Sequence, residues 1–308
     1  MPSLPSVPPR LPGCDEMNLP EPSLWDGHDI ASLFALHSQG RDRFICSRFH
    51  ANQNQMVYGG QSLALACAAA QATVETQWQP TALQLNFLAP GALDAPMLVR
   101  VERVQQTKRF ATRLVFLEQN DRCVAVATLA FHSGEDGMEH QFSTQPAPAP
   151  ETLMNLTELR DKYFERLNPV EQQFIGRNTA VEIRPLDPEH FLLERDPEAR
   201  FRYWMRTQQP LALDIHQHYA ALAYLSDFWF GVTALTPHRE HKLGDDLYVS
   251  SLNHALWFHG PQRADDWMLV DAQSPWAGQG RGLTFGSLYD RKGRLVASVA
   301  QEGLYRKR

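Results

Sequence analysis

No run of about 20 apolar residues occurs in the 308-residue sequence, which excludes a membrane-spanning helix. Lysine and arginine form no run either, and the formal net charge is −6, so a nucleic-acid partner is excluded as well. Cysteine is scarce. The four (Cys14, Cys46, Cys67 and Cys123) lack both a CxxC pair and the spacing of a zinc site. Cys67 and Cys123 sit in apolar runs, as inert core thiols do, and that fits a reducing compartment. A G-x-S-x-G nucleophile elbow is missing, as are the lysine of a P-loop and the further glycine of a dinucleotide loop. The histidines make no metal pattern. His216 and His218 are two apart on an expected helix and read as capping or surface groups, His254 and His259 fall on opposite strand faces, and His238 and His241 flank a loop. Neither a metal nor a cofactor is expected.

Residues 1–24 hold seven prolines and no apolar stretch, so they read as a disordered tail rather than a signal peptide. The last residue, Arg308, does not fit a Ser-Lys-Leu address. With 43% hydrophobic and 21% charged residues, the composition is globular, and the cytoplasm is the expected compartment.

What the chain does contain is a repeat. A linker-like segment, "STQPAPAPET" (143–152), separates two similar halves. "NFLAPG" (86–91), "MLVRVERV" (97–104) and "TRLVFLEQNDRCVAVATLAF" (112–131) are answered by "WFHGP" (257–261), "MLVDAQ" (268–273) and "GLTFGSLYDRKGRLVASVAQEG" (282–303). The offsets agree: 268 − 97 is 171, 258 − 87 is 171 and 294 − 122 is 172. Each half reads as strand, strand, strand, tight turn, strand. Before each strand set stands a helix. "GGQSLALACAAAQATV" (59–74) has few charges and should be buried nearly all round. "DIHQHYAALAYLSDF" (214–228) opens with Asp214 and Gln217 at capping-box spacing and carries Tyr219, Leu222, Ala223 and Ser226 at helical intervals. The fold class is α+β, and the two strand sets are expected to join edge to edge, hiding two vulnerable strands.

Three polar residues stand on faces that should be buried. Asp227 ends the apolar stripe of the second helix and is followed by "FWFG". In "YVSSLNHALWFH" (248–259), alternation puts Ser251 and Asn253 on the side of Ala255 and Trp257, opposite Leu252, His254, Leu256 and Phe258. In "GRLVASVAQEGLYR" (293–306), Gln301 follows Leu295, Ala297 and Val299 on one side. Each has a bland reading: an acid reaching solvent, a solvated strand end, and an amide bonding backbone. An acid, a hydroxyl and an amide together are also the parts needed to hold and deprotonate one water. Spacing alone leaves open whether they meet.

The segments "VYGGQSLALA", "FLAPG", "LAYLSD", "NHALWFH", "SPWAGQGRGL" and "LVASVAQEG", in that order, resemble the acyl-CoA thioesterase II family from about residue 28 to the end. The resemblance implies a double hotdog, with an antiparallel sheet wrapped around a central helix in each half. It divides the chain into a tail (1–27), an N-terminal hotdog (28–133), a linker (134–199) and a C-terminal hotdog (200–308). It also implies hydrolysis of fatty acyl-CoA by water activated by Asp, Thr and Gln. Carried over, the Asp is Asp227, the Gln is Gln301, and Ser251 stands where the family usually has Thr. Serine keeps the oxygen but loses the methyl that restricts its rotamer. Asn253, Gln84, Asn86 and Ala89 also replace residues common in the family, and Leu129 is the first-half counterpart of Gln301. A backbone N–H near Gly60 and Gln61, at a helix N-terminus, is a candidate holder of the thioester oxygen. The partner implied is an acyl-CoA substrate, with a homo-oligomer left open. Two alternatives remain: an acyl-thioester binding or scaffold protein without turnover, and a hotdog enoyl-thioester hydratase, for which no Asp/His pair is evident.

Overall fold

The computed structural model describes residues 20–175, 180–194, 197–212, 214–238 and 247–307. Most of the proline-rich tail, with Cys14, lies outside them, as does His241. In the first half, short strands β1 (Ser23–Leu24), β2 (His37–Ser38), β3 (Arg43–Cys46) and β4 (Arg48–Phe49) lead into helix α1 (Gly59–Gln71). Strands β5 (Gln79–Phe87), β6 (Met97–Gln106), β7 (Phe110–Gln119) and β8 (Arg122–His132) follow. Ala and Leu fill α1 with strong helix formers, and its residues are nearly all buried, as the scarcity of charge implies. At its far end the fully buried Arg113 donates to Thr73 Oγ1 at 2.8 Å and to the Thr73 carbonyl at 3.2 Å, a cation placed where the helix dipole favours one.

The span read as a linker is structured. It carries α2 (Leu156–Tyr163), α3 (Pro169–Phe174), β9 (Val181–Pro185) and α4 (Pro188–Leu192), and α2 and α3 each begin with a capping box on Asn155 or Asn168. Strand β9 pairs with β10 (Arg200–Thr207), so a boundary at residue 200 cuts through the sheet. The alternating pattern of "VEIRP" is too short to have marked it as a strand. Ahead of it, the backbone of 145–148 accepts hydrogen bonds from Arg202 and Trp204, and Ala147 and Leu153 cover an outer cluster of Trp204, Trp267, Leu269 and Tyr289.

The second half repeats the first: α5 (Ile215–Leu225), then β11 (Leu247–Phe258), β12 (Met268–Gly278), β13 (Arg281–Asp290) and β14 (Leu295–Lys307). Asp214 caps α5, though through the His216 N–H rather than a box with Gln217. A single sheet of twelve strands results, in the order β2-β3-β6-β7-β8-β5-β11-β14-β13-β12-β10-β9. Its two halves are related about the antiparallel β5–β11 junction, where Leu83 faces Leu256 and Leu85 faces His254. Helices α1 and α5 pack against each other inside this sheet, and one core runs through both halves. This is the double hotdog. Among the described residues, no helix is long and apolar enough to cross a membrane.

Candidate active site

Helix α5 stops at Ser226, and the chain leaves it through Asp227, Phe228 and Trp229, the last in a left-handed conformation at φ 57°. The turn brings the Asp227 carboxylate to the N-terminus of α1, in the other half of the chain. That terminus has no cap from its own side chains, and the Asp227 carboxylate sits beside it, where the Gly60 N–H helps to lower its pKa. An anion is favoured there because the first N–H groups of a helix lack partners. Glycine at 59 and 60 permits the approach. A β-carbon on Gly59 would stand 2.9 Å from Asp227 Oδ2, and one on Gly60 would stand 2.4 Å from both the Tyr224 carbonyl oxygen and the Tyr58 ring.

Gln301 reaches the carboxylate from β14. Its side-chain nitrogen donates to Asp227 Oδ1 at 2.5 Å and to Ser251 Oγ at 2.8 Å, and Ser251 Oγ lies 3.5 Å from the same Oδ1. Gln301 is buried, as alternation along β14 requires. Leu295, expected on the same side, packs instead on the outer cluster, because a bulge at Val296 reverses the alternation there.

Ser251 also departs from simple alternation. The register of β11 against β14 shifts between Ser251 and Asn253. The extra residue, Leu252, turns Ser251 inward to the face of His254, Leu256 and Phe258, while Asn253 stays outside and donates to Glu302 at 3.1 Å. Asp227, Ser251 and Gln301 thus meet, and all three open onto one cleft of about 560 Å³. Its walls include Tyr58, Gly59, Phe87, Phe174, Trp229 and Val232.

Gly60 and Gln61 do not line this cleft. The Gly60 N–H lies close enough to Asp227 to lower its pKa. The fully buried Gln61 spends its amide on backbone: it donates to the Leu33 and Arg48 carbonyls at 2.9 and 2.6 Å and accepts from the His50 N–H at 2.9 Å. Gln61 ties the entry strands to α1, a long-range contact that local spacing does not reveal.

Burial dominates the electrostatics. It raises the Asp227 pKa from 3.8 to about 6, against the opposing pull of Gln301, the Gly60 N–H, Tyr58 and Ser251. Tyr58, Tyr203 and Tyr305 surround the carboxylate, and burial together with its charge holds their phenols protonated.

Two residues of this neighbourhood escaped sequence reasoning. Tyr58 precedes the Gly-Gly pair and closes one wall, its ring centred 5.1 Å from Phe228 and 5.2 Å from Tyr224. His254 stands directly opposite Gln301 in the sheet, and its Nδ1 lies 4.0 Å from Asp227 Oδ1, so an Asp/His approach does exist. Only the bulge at Leu252, which no periodicity announces, puts His254 and Ser251 on one face. His218 is also buried rather than at the surface, accepting from the Ala264 N–H at 3.1 Å.

Comparison with known proteins agrees with this architecture. Residues 48–132 match the acyl-CoA thioesterase N-terminal domain and residues 144–305 the acyl-CoA thioesterase C-terminal domain. Acyl-coenzyme A thioesterase 8 of Mus musculus is 31% identical over 286 residues, spanning 90% of this chain and 88% of that protein. A crystal structure of an acyl-CoA thioesterase II from Mycobacterium marinum superposes with a TM-score of 0.74 at 29% identity, covering 91% of this chain and 99% of that one. A hotdog-fold protein from Alicyclobacillus acidocaldarius is similar in fold, with a TM-score of 0.71 at 20% identity over 89% of this chain and 97% of that one.

Proposed function

The chain belongs to the acyl-CoA thioesterase II family, and from that premise we propose how it hydrolyses acyl-CoA to free acid and CoA. Asp227 is the general base. It takes a proton from a water held beside Ser251 and Gln301, and the water oxygen attacks the thioester carbonyl. The C–S bond then breaks, and the electron pair leaves on the CoA thiolate. No covalent intermediate is needed, because a thiolate is a good leaving group once water has added. The raised pKa of Asp227 suits the task, since a stronger base accepts the proton more readily. Acyl-CoA is an intracellular metabolite, so the proposed place of action is the cytoplasm.

The observation that carries this reading is the convergence of Ser251 from β11 and Gln301 from β14 on one carboxylate oxygen of Asp227, just beyond α5, at the cleft. An enoyl-thioester hydratase generally pairs an imidazole with an Asp at the substrate; His254, the imidazole near Asp227, does not line the cleft, and His50, which does, is engaged through Nδ1 with the Tyr224 hydroxyl at 2.9 Å. The binding-protein alternative is separated by turnover. In Asp227→Asn, thiol release from acyl-CoA should fall by roughly 10²–10⁴-fold, the usual contribution of a positioned base. Near-normal release in a folded variant would refute the assignment.

A further inference from the structure

We propose that His254 is a positioning residue for the base, its bare Nδ1 lone pair setting how readily Asp227 holds a proton. The inference rests on the reading of Asp227 as the base.

Two hydrogen bonds assign the tautomer. Ser226 Oγ donates to the Ala223 carbonyl at 2.8 Å, so its lone pair is what meets His254 Nε2 at 2.9 Å. Nε2 therefore carries the hydrogen, and Nδ1 is bare. That Nδ1 is buried, has no hydrogen-bond partner, and lies 4.0 Å from Asp227 Oδ1. At this distance it is a nearby dipole rather than a hydrogen bond. A lone pair close to an anion repels it, and the same lone pair welcomes the proton of a neutral acid.

The imidazole cannot act on substrate, because its side chain is 0% exposed and lies behind the Asp227–Gln301 pair. Nor does it compete for the proton. Burial lowers its own pKa to about 3, so it stays neutral while Asp227 cycles between its two forms. Among the described residues, its surroundings add no second switch. On β14 it faces Gln301 and on β5 it faces Leu85, while the Phe230 ring centre is 6.1 Å away. The titratable groups around Asp227 are the phenols of Tyr58, before α1, Tyr203 on β10 and Tyr305 on β14, all held protonated.

The test uses two variants of the full chain. His254→Gln keeps an N–H for Ser226 and removes the lone pair at Nδ1. Ser226→Ala removes the partner of Nε2–H, freeing the ring to place its hydrogen on Nδ1, toward Asp227. Both should move the acid limb of kcat/KM for acyl-CoA to lower pH, by roughly half a unit or more. A carboxyl-carbon NMR titration of Asp227 should show the same shift without reference to turnover. An unmoved limb and an unmoved titration in folded variants would overturn the proposal and leave His254 as packing. If His254→Gln does not fold, Ser226→Ala decides alone. A wild-type protein without thiol release would instead remove the base reading, an outcome the NMR titration keeps separate from the effect of His254 on Asp227.

Discussion

Asp227 Oδ2 stands 2.9 Å from the place a β-carbon on Gly59 would occupy, although the two residues lie in different halves of the chain. The missing side chain is what admits the carboxylate to the start of α1. Gly59→Ala should therefore push the base aside. Alanine ordinarily favours a helix by about 1 kcal/mol over glycine, so the fold should survive while turnover falls. Gly60→Ala should behave differently, since its β-carbon meets backbone at the Tyr224 carbonyl, 2.4 Å away. Melting curves and thiol release, measured on both, should separate the two: lost activity for Gly59→Ala, lost stability for Gly60→Ala.

Asp227 must be ionised to accept a proton, and burial has raised its pKa to about 6. Thus kcat/KM should fall tenfold per pH unit well below 6 and level off above it. The stability effect has the opposite sense. A raised carboxyl pKa contributes stability that is fully present below 3.8 and lost as pH rises through about 6. Asp227→Asn, which has no charge to bury, should melt no lower than the wild type at pH 8. A clearly lower melting temperature would show that the carboxylate is stabilised more by its donors than it is penalised by burial.

Ser251 Oγ accepts from Gln301 at 2.8 Å. Ser251→Ala removes this link, and one ordinary hydrogen bond is worth about 0.5–1.5 kcal/mol, so kcat should drop by roughly 2- to 13-fold with KM little changed. Ser251→Thr keeps the oxygen and restricts its rotamer, so turnover should hold or rise. Equal kinetics in all three proteins would leave the hydroxyl without a part in holding water.

The two halves should not fold apart. Truncation after residue 150 strips β11 from β5 and α5 from α1, exposing a long sheet edge and an apolar helix face. The fragment should aggregate or melt without cooperativity. A soluble fragment with a sharp thermal transition would contradict this.

Several features were legible in the sequence for local reasons. The offset repeat located both helices and eight of the long strands, because helical and strand periodicity are imposed by backbone geometry on neighbouring residues. A buried amide at Gln301 could be read from its alternation with Ala297 and Val299 on β14. Strand β9 was hidden by its length, and the order within 134–199 by packing against the outer sheet face. The site itself was decided only in three dimensions. A bulge at Leu252 turned Ser251 inward, a second at Val296 turned Leu295 outward, and neither inserted residue is a glycine or other residue that would announce a bulge. The meeting of Asp227 with the N-terminus of α1 depends on the two helices packing across the pseudo-repeat, and that of His254 with Asp227 on β11 packing beside the end of α5. Periodicity reports which side of its own element a residue occupies; which residue waits on the far side is settled by the tertiary contact.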